Sequence, residues 1–281
     1  MTKKSKEQNA QQIKEAVRTN YAEIAMGRSK RCCCSSEWAP NDSAADLSRR
    51  LGYEEGSLNL LPAGADMGLS CGNPVALAAL KPGQIVLDLG SGGGFDVFQA
   101  SPKVGASGKV IGVDMTPEMI SKARANNEVY CQNSGLENVE FRLGEIEHLP
   151  VADASIDVVI SNCVINLSPE KGQVWREIYR VLKPGGIAAV SDIALLKPLP
   201  QEIISMVSAL VGCVAGALLA SETEKIIKST GFSSFSMKPK PEYVSNMLSM
   251  NDVLYKQIAE LLPRGANIDE YITSMDFSVA K

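Results

Sequence analysis

Two carboxylates and a run of glycines are spaced to hold a small charged ligand. The run Val86-Leu87-Asp88-Leu89-Gly90-Ser91-Gly92-Gly93-Gly94 breaks an apolar stretch into glycines, and a second apolar stretch ends at Val113-Asp114-Met115. Glycine lacks Cβ, so the backbone can turn tightly there and a ligand can approach the main chain. Asp114, 24 residues past Gly90, stands where an open α/β sheet presents a carboxylate to ribose hydroxyls. The pair points to an adenosine-bearing cofactor. A dinucleotide fingerprint spaces its glycines G-x-G-x-x-G and receives a pyrophosphate. Here they run G-x-G-G-G, with Asp88 two residues ahead. A carboxylate at that position repels a pyrophosphate and suits an ammonium, which favours S-adenosylmethionine (SAM) over a nicotinamide or a flavin. The competing reading is a tight strand-to-helix turn that binds nothing.

The second set of reactive side chains is sulfur. Cysteines stand at 32, 33, 34, 71, 131, 163 and 213. Cys163 follows an expected strand at the mouth of the cofactor cleft. Cys71 lies in Ser70-Cys71-Gly72-Asn73-Pro74, ahead of the glycine run, and Cys213 sits among the small residues of Gly212 to Ala217. A lone cysteine is ordinarily a small buried hydrophobe, so position alone leaves both readings open at each. Cys131, at the end of an expected helix, has no such setting. The cysteine number is odd, three are adjacent, and no apolar run follows Lys3-Lys4-Ser5-Lys6 as a signal peptide requires. A disulfide framework is therefore not expected, and a reducing cytoplasm is. No CxxC pair supports a zinc site.

These groups need strand ends to stand on. Residues 8–26 predict a helix, with Ile13, Val17, Tyr21 and Ile24 on one face. Residues 32–41 are irregular and closed by Pro40, a helix starts near Asp42, and a loop over 61–73 leads to Pro74-Val75-Ala76-Leu77. From Lys81 the pattern alternates: strands over 84–89, 108–113, 138–143, 156–161 and 186–192, and helices over 94–101, 117–130 and 170–181. Such alternation means a parallel sheet with right-handed crossovers. Strands over 232–238 and 271–280 complete a seven-stranded, Rossmann-like α/β sheet with helices on both faces, an N-terminal helical and loop segment and a small C-terminal extension. Ligands of such sheets bind beyond the carboxyl ends of the strands. That selects Asp88, Gly90, Ser91, Gly92, Asp114, Met115, Asn162 and Cys163 as cofactor residues. Glu145 and Ile146, after the third strand, would meet the adenine ring through a carboxylate and a backbone N–H. Glu147 reads equally well as a surface charge beside His148.

A net charge of −4 with scattered Lys and Arg argues against nucleic acid as a partner. The basic start reads as a solvated tail. Ile203 to Ala220 carries no charge over eighteen residues, barely enough for a membrane span. Its flanks are not strongly basic and it lies inside the α/β pattern, so a buried helix pair is expected and no membrane partner.

At this point the chain resembles the arsenite methyltransferases, class I enzymes that methylate trivalent arsenic from SAM. The resemblance rests on SCGNPVALAALKPGQIVLDLGSGGGFDVF, KVIGVDMTPEMISKAR, VEFRLGEIEHLPVADASIDVVISNCVINLSPEK, EIYRVLKPGG and GCVAGAL, and runs from about Tyr53 to Phe235. It implies that Cys71, Cys163 and Cys213 bind arsenic(III). It also divides the chain into an N-terminal cysteine-bearing segment (1–70), a SAM-binding domain (71–195), arsenic-binding helices with the sixth strand (196–240) and an extension with the last strand (241–281). Two features depart from relatives: three consecutive cysteines replace a sparser arrangement, and no cysteine-rich tail ends the chain. Cys33 and Cys34 are the candidates in that triplet for a further thiol role.

Chemistry fits the implied site. Trivalent arsenic is soft and selects thiolates. Three thiolates leave a pyramidal centre whose lone pair can attack a sulfonium methyl, so no general base is needed; the chain's single histidine, His148, agrees with this. Alignment of the two partners is the main contribution, worth roughly 7–11 kcal/mol when well oriented. Each methyl removes one thiolate position from arsenic. Electron donation leaves arsenic formally pentavalent, and two thiols restore trivalency by forming a disulfide, which thioredoxin or glutathione would recycle through Cys32, Cys33 or Cys34. The expected enzyme is a cytoplasmic monomer in arsenic detoxification. The alternatives are a methyltransferase for an organic acceptor such as a quinone or sterol, and a metalloid sensor without turnover.

Overall fold

The computed structural model describes residues 3–28 and 43–281; Asp42, the stretch 32–41 and with it Cys32, Cys33 and Cys34 lie outside the described residues. Seven strands form one sheet: β1 (Ile85–Leu89), β2 (Lys109–Asp114), β3 (Val139–Leu143), β4 (Ile156–Asn162), β5 (Leu182–Leu195), β6 (Ser234–Lys240) and β7 (Ile272–Ala280). Their order is β3-β2-β1-β4-β5-β7-β6. β1 to β5 are parallel, and β7 enters antiparallel between β5 and β6. The Rossmann-like sheet read from the sequence is therefore present. β5 runs past the expected end because Ile187 to Leu195 pairs along its whole length with β7, whereas its pairing with β4 stops at Ser191.

The helices are α1 (Lys3–Ala25), α2 (Ala44–Arg50), α3 (Glu55–Leu58), α4 (Pro74–Ala78), α5 (Phe95–Val104), α6 (Pro117–Ser134), α7 (Lys171–Val181), α8 (Gln201–Ile204), α9 (Val207–Val211), α10 (Ala220–Thr230), α11 (Glu242–Ser249) and α12 (Val253–Leu261). Neighbouring positions of the central strands are buried on opposite faces, the pattern of a parallel sheet covered on both sides. Val86, Val110 and Ile160 pack with Phe98 of α5 and Ile120 of α6. Leu87, Leu89 and Val159 pack with Trp175 and Ile178 of α7 and Ile227 of α10.

A third core caps the carboxyl ends of the strands. It joins Val17 of α1, Leu47 of α2, Ile203 of α8, Met247 of α11 and Ile258 of α12, and it contains Cys71 and Cys213. Each large apolar side chain buried there contributes roughly 1.5–3 kcal/mol, so the cap has a core of its own.

α1 begins at Lys3, so the basic start belongs to a helix. The uncharged segment over 203–220 does hold two short helices, the end of α8 and all of α9, broken at Ser205 and ended at Gly212, after which the chain turns irregularly to Leu219. A Cβ on Gly216 would collide with the carbonyl oxygen of Asn166, so glycine lets this turn settle onto the short 3-10 turn Ile165–Leu167. Among the described residues no helix is long and apolar enough to cross a membrane.

Candidate active site

The glycine run leaves β1 by a left-handed turn. Gly90, Gly92 and Gly94 all have positive φ, and a Cβ at Gly90 would run into Val164. The loop is tied to β2 through Asp114, whose Oδ2 accepts from Gly92 N at 3.0 Å and whose Oδ1 accepts from Thr116 N at 2.8 Å. A cleft of about 720 Å³ opens beside it, lined by Gly90, Gly92, Asp114, Met115, Ile146, Asn162 and Cys163. A second lobe of about 400 Å³ shares Gly90, Gly92 and Asn162 with it and adds Asp88, Ser91 and Asp96.

The donor set of this lobe fits a cationic, hydrogen-bonding ligand. Asp88 is buried, and no hydrogen bond offsets that burial. Ser91 Oγ is buried without a hydrogen-bond partner among the described residues. Both are the kind of group an ammonium and a carboxylate would satisfy, as in the amino-acid end of SAM.

The sulfurs lie where β4 and β5 end. Cys71 and Cys163, 92 residues apart, are joined as a disulfide with Cα atoms 5.9 Å apart, a separation suited to one. No disulfide framework is expected from the sequence, and this is a single bridge among the described residues; it forms because the loop before α4 folds across the strand ends. Asn162 anchors that loop: its Oδ1 accepts from Cys71 N at 3.0 Å, and its Nδ2 donates to Asp96 Oδ2 at 2.9 Å and Gly72 O at 3.1 Å. Ser274 Oγ on β7 donates to Cys71 O at 2.7 Å. Cys213 Sγ donates to Cys163 O at 2.8 Å. Cys163 and Cys213 have φ of 55° and 62°. Left-handed backbone at a residue with a side chain costs of order 1–3 kcal/mol and is retained where the surroundings enforce it, often at functional sites. The Cys71 and Cys163 sulfurs are thus together, and Cys213 stands beside them with its thiol on the Cys163 carbonyl rather than within the sulfur group, while Cys131 lies elsewhere, on α6.

Two carboxylates were not foreseen from the sequence. Asp192 on β5 has an oxygen within 4.8 Å of the sulfurs of Cys71 and Cys163. Burial pushes its carboxyl up to about 7, although Ile193 N and Asn166 N donate to it. Asp96 on α5 is pushed up to about 6, again by burial, against hydrogen bonds from Tyr53 and Asn162. Neither residue carries a motif, and only the folded sheet brings Asp96 to the second lobe and Asp192 beside the sulfurs.

These shifts have a consequence for stability. Above pH 5 carboxyls with lowered pKa no longer titrate, whereas Asp96 and Asp192 keep protons that the unfolded chain, with carboxyls near 3.8, has released. The folded state then binds more protons, so unfolding free energy falls as pH rises, by about 1.4 kcal/mol per unit for each proton retained. Urea midpoints are expected to drop from pH 5 to pH 8; a rise across that range contradicts the assignment.

Of the residues expected at the adenine end, Ile146 lines the cleft. The Glu145 carboxylate turns instead to α1, meeting Lys14 at 2.8 Å and Arg18 at 3.1 Å. Glu147 is not the surface charge of the alternative reading: it is buried and accepts from Ser168 Oγ at 2.6 Å.

Comparison with known proteins bears on this geometry. The family described as a methyltransferase domain matches residues 80–231. Arsenite methyltransferase of Halobacterium salinarum is 47% identical over 248 residues, which are 84% of this chain and 61% of that protein. The human arsenite methyltransferase is 41% identical over 52% of this chain and 40% of its own length. The crystal structure of an arsenic(III) S-adenosylmethionine methyltransferase from Chlamydomonas reinhardtii is 32% identical, with a TM-score of 0.62, covering 84% of this chain and 73% of that one. The chain belongs to the arsenite methyltransferase family. It spans about three fifths or less of the length of these two curated relatives. Within the family's frame, the neighbouring cysteines and the acid-lined lobe are the two features on which a reaction can be argued.

Proposed function

We propose that this protein transfers methyl groups from SAM to trivalent arsenic. The reading is carried by one observation: Cys163, at the edge of a cleft whose other walls suit an adenosyl cofactor, is bonded to Cys71 and has the Cys213 thiol on its own carbonyl, so three remote stretches of chain bring cysteines to one place. Asp114 would accept from the ribose hydroxyls, Ile146 would flank the adenine, and Asp88 with Ser91 would hold the amino-acid end. Bound there, SAM supplies an electrophilic methyl on a sulfonium.

Cys71, Cys163 and Cys213 hold arsenite as a tris-thiolate, each As–O bond exchanging for As–S while the thiol proton leaves with the hydroxide as water. They orient the arsenic lone pair toward the cleft. The apolar cap around Cys71 and Cys213 keeps water from re-hydrolysing the As–S bonds. The Cys71–Cys163 disulfide cannot bind arsenic, so turnover requires a thiol reductant. Cys32, Cys33 and Cys34 are proposed to relay electrons from thioredoxin or glutathione, and the cytoplasm is the compartment where such reductants serve detoxification.

The test is incubation of the reduced protein with arsenite, SAM and a thiol, followed by arsenic speciation. Methylated arsenic is the expected result. Arsenite bound without product would favour a sensor, and neither binding nor product would point to an organic acceptor.

A further inference from the structure

α1 presents one face to the cofactor cleft. Lys14, Val17 and Tyr21, spaced three and four residues apart on one side of the helix, all line it. Val17 is fully buried and Lys14 is only 9% exposed. Opposite stand Ile146, Glu147, Leu167 and Ser168, from the turns that follow β3 and β4. The Lys14 ammonium bridges the two sides, 2.8 Å from Glu145 and 3.3 Å from Glu147. Arg18 adds a contact to Glu145, and Lys122 of α6 donates to the carbonyl of Ala25 at 3.4 Å.

A lysine in this position needs explaining. Burial by itself lowers its pKa, but the hydrogen bond and charge of Glu145 together with the charge of Glu147 outweigh that and leave it raised. An ion pair so placed costs desolvation that a hydrophobic contact would avoid. It differs from an apolar seam in being separable, since both partners regain full hydration when parted. α1 joins no strand; it lies against the domain through this charged seam and a few apolar side chains. Segments held in this way open at a lower free energy than sheet-paired ones.

We infer that α1 is the fourth wall of the cofactor site, with Lys14 as the positioning residue that fastens it over the adenine end through Glu145 and Glu147. This deepens the reading of the cleft as a SAM site and rests on it. α1 closes behind the cofactor, Val17 and Tyr21 pack on it, and release waits on separation of the Lys14 pairs. Closure therefore governs how long the cofactor stays.

S-adenosylhomocysteine (SAH), the demethylated cofactor, is the probe, so the readout is binding and not turnover. Full-length Lys14→Ala is expected to bind SAH about tenfold more weakly by calorimetry, mostly through faster dissociation. Lys14→Arg, which keeps the charge, is expected to stay within about threefold of wild type. SAH is expected to slow tryptic cleavage within α1 in the wild type and to protect far less in Lys14→Ala. A structural defect alone would shift the thermal midpoint of ligand-free Lys14→Ala and would not be selectively relieved in Lys14→Arg. If wild type binds SAH, yet Lys14→Ala binds it equally well and α1 is cleaved at the same rate with and without it, the wall assignment is overturned. If wild type binds no SAH, the cofactor reading itself fails.

Discussion

Cys71→Ser is expected to lose methylation of arsenite by about a hundredfold or more in kcat/KM, roughly 2.7 kcal/mol, while methylation of monomethylarsenite stays within about threefold of wild type. The reason is valence. Arsenite has three oxygens to exchange for sulfur, and all three cysteines are within reach; monomethylarsenite has already lost one position and needs two thiolates. Cys163 and Cys213 are the pair left, linked by the 2.8 Å hydrogen bond from Cys213 Sγ to Cys163 O. Both hold left-handed backbone. Cys71 arrives on a loop tied down by Asn162 and Ser274, so its loss removes one sulfur and leaves the other two in place. Rates on both substrates, measured with excess reductant, decide it. Equal loss on both would mean that Cys71 serves the fold, or every methylation step alike.

Asp88→Asn is expected to separate binding from stability. Asp88 is 2% exposed, and its carboxyl is held well above the usual carboxylate range by burial, with the charges of Asp96 and Asp114 adding to it. Without ligand that cluster is a cost of folding, because like charges share a dry site. The amide has the same shape and no charge, so ligand-free Asp88→Asn is expected to be more stable by roughly 1–3 kcal/mol. The same change removes the counter-charge of the cofactor's ammonium, and SAH affinity is expected to fall about a hundredfold. Thermal unfolding and calorimetry on one preparation give both numbers. Unchanged SAH affinity would remove Asp88 from the cofactor site. A large fall in stability would mean that the carboxylate holds the glycine turn together.

The sheet was legible in the sequence because its determinants are local. A central parallel strand must be apolar on both faces, so β1, β2 and β4 stand out as runs, and the glycines after Leu89 mark a turn that side chains would block. The acids at 88 and 114 were legible for the same reason: each sits at a fixed offset from a strand end, and strand ends are where such sheets bind ligands. The three candidate cysteines were separable from ordinary buried ones only through the strings around them, since a cysteine's own context reads the same in a core.

What the chain alone did not disclose depends on long-range closure. That Cys71 reaches Cys163 across 92 residues follows from a loop folding over strand ends and a cap packing above it, and no local period encodes such a meeting. The raised carboxyls of Asp96 and Asp192 arise from burial among distant neighbours, which sequence spacing does not report. The two helices of the uncharged stretch over 203–220 were legible, but not where they stop: beyond Gly212 the chain is a packed turn in which Gly216 lies against the Asn166 carbonyl. α1 was visible as a helix with one apolar face. That this face, with a lysine in it, meets the cofactor cleft was settled only when Glu145 and Glu147 came to stand opposite it. Local periodicity determined which elements exist and which acids lie at their ends; packing across the carboxyl edge of the sheet determined which side chains meet.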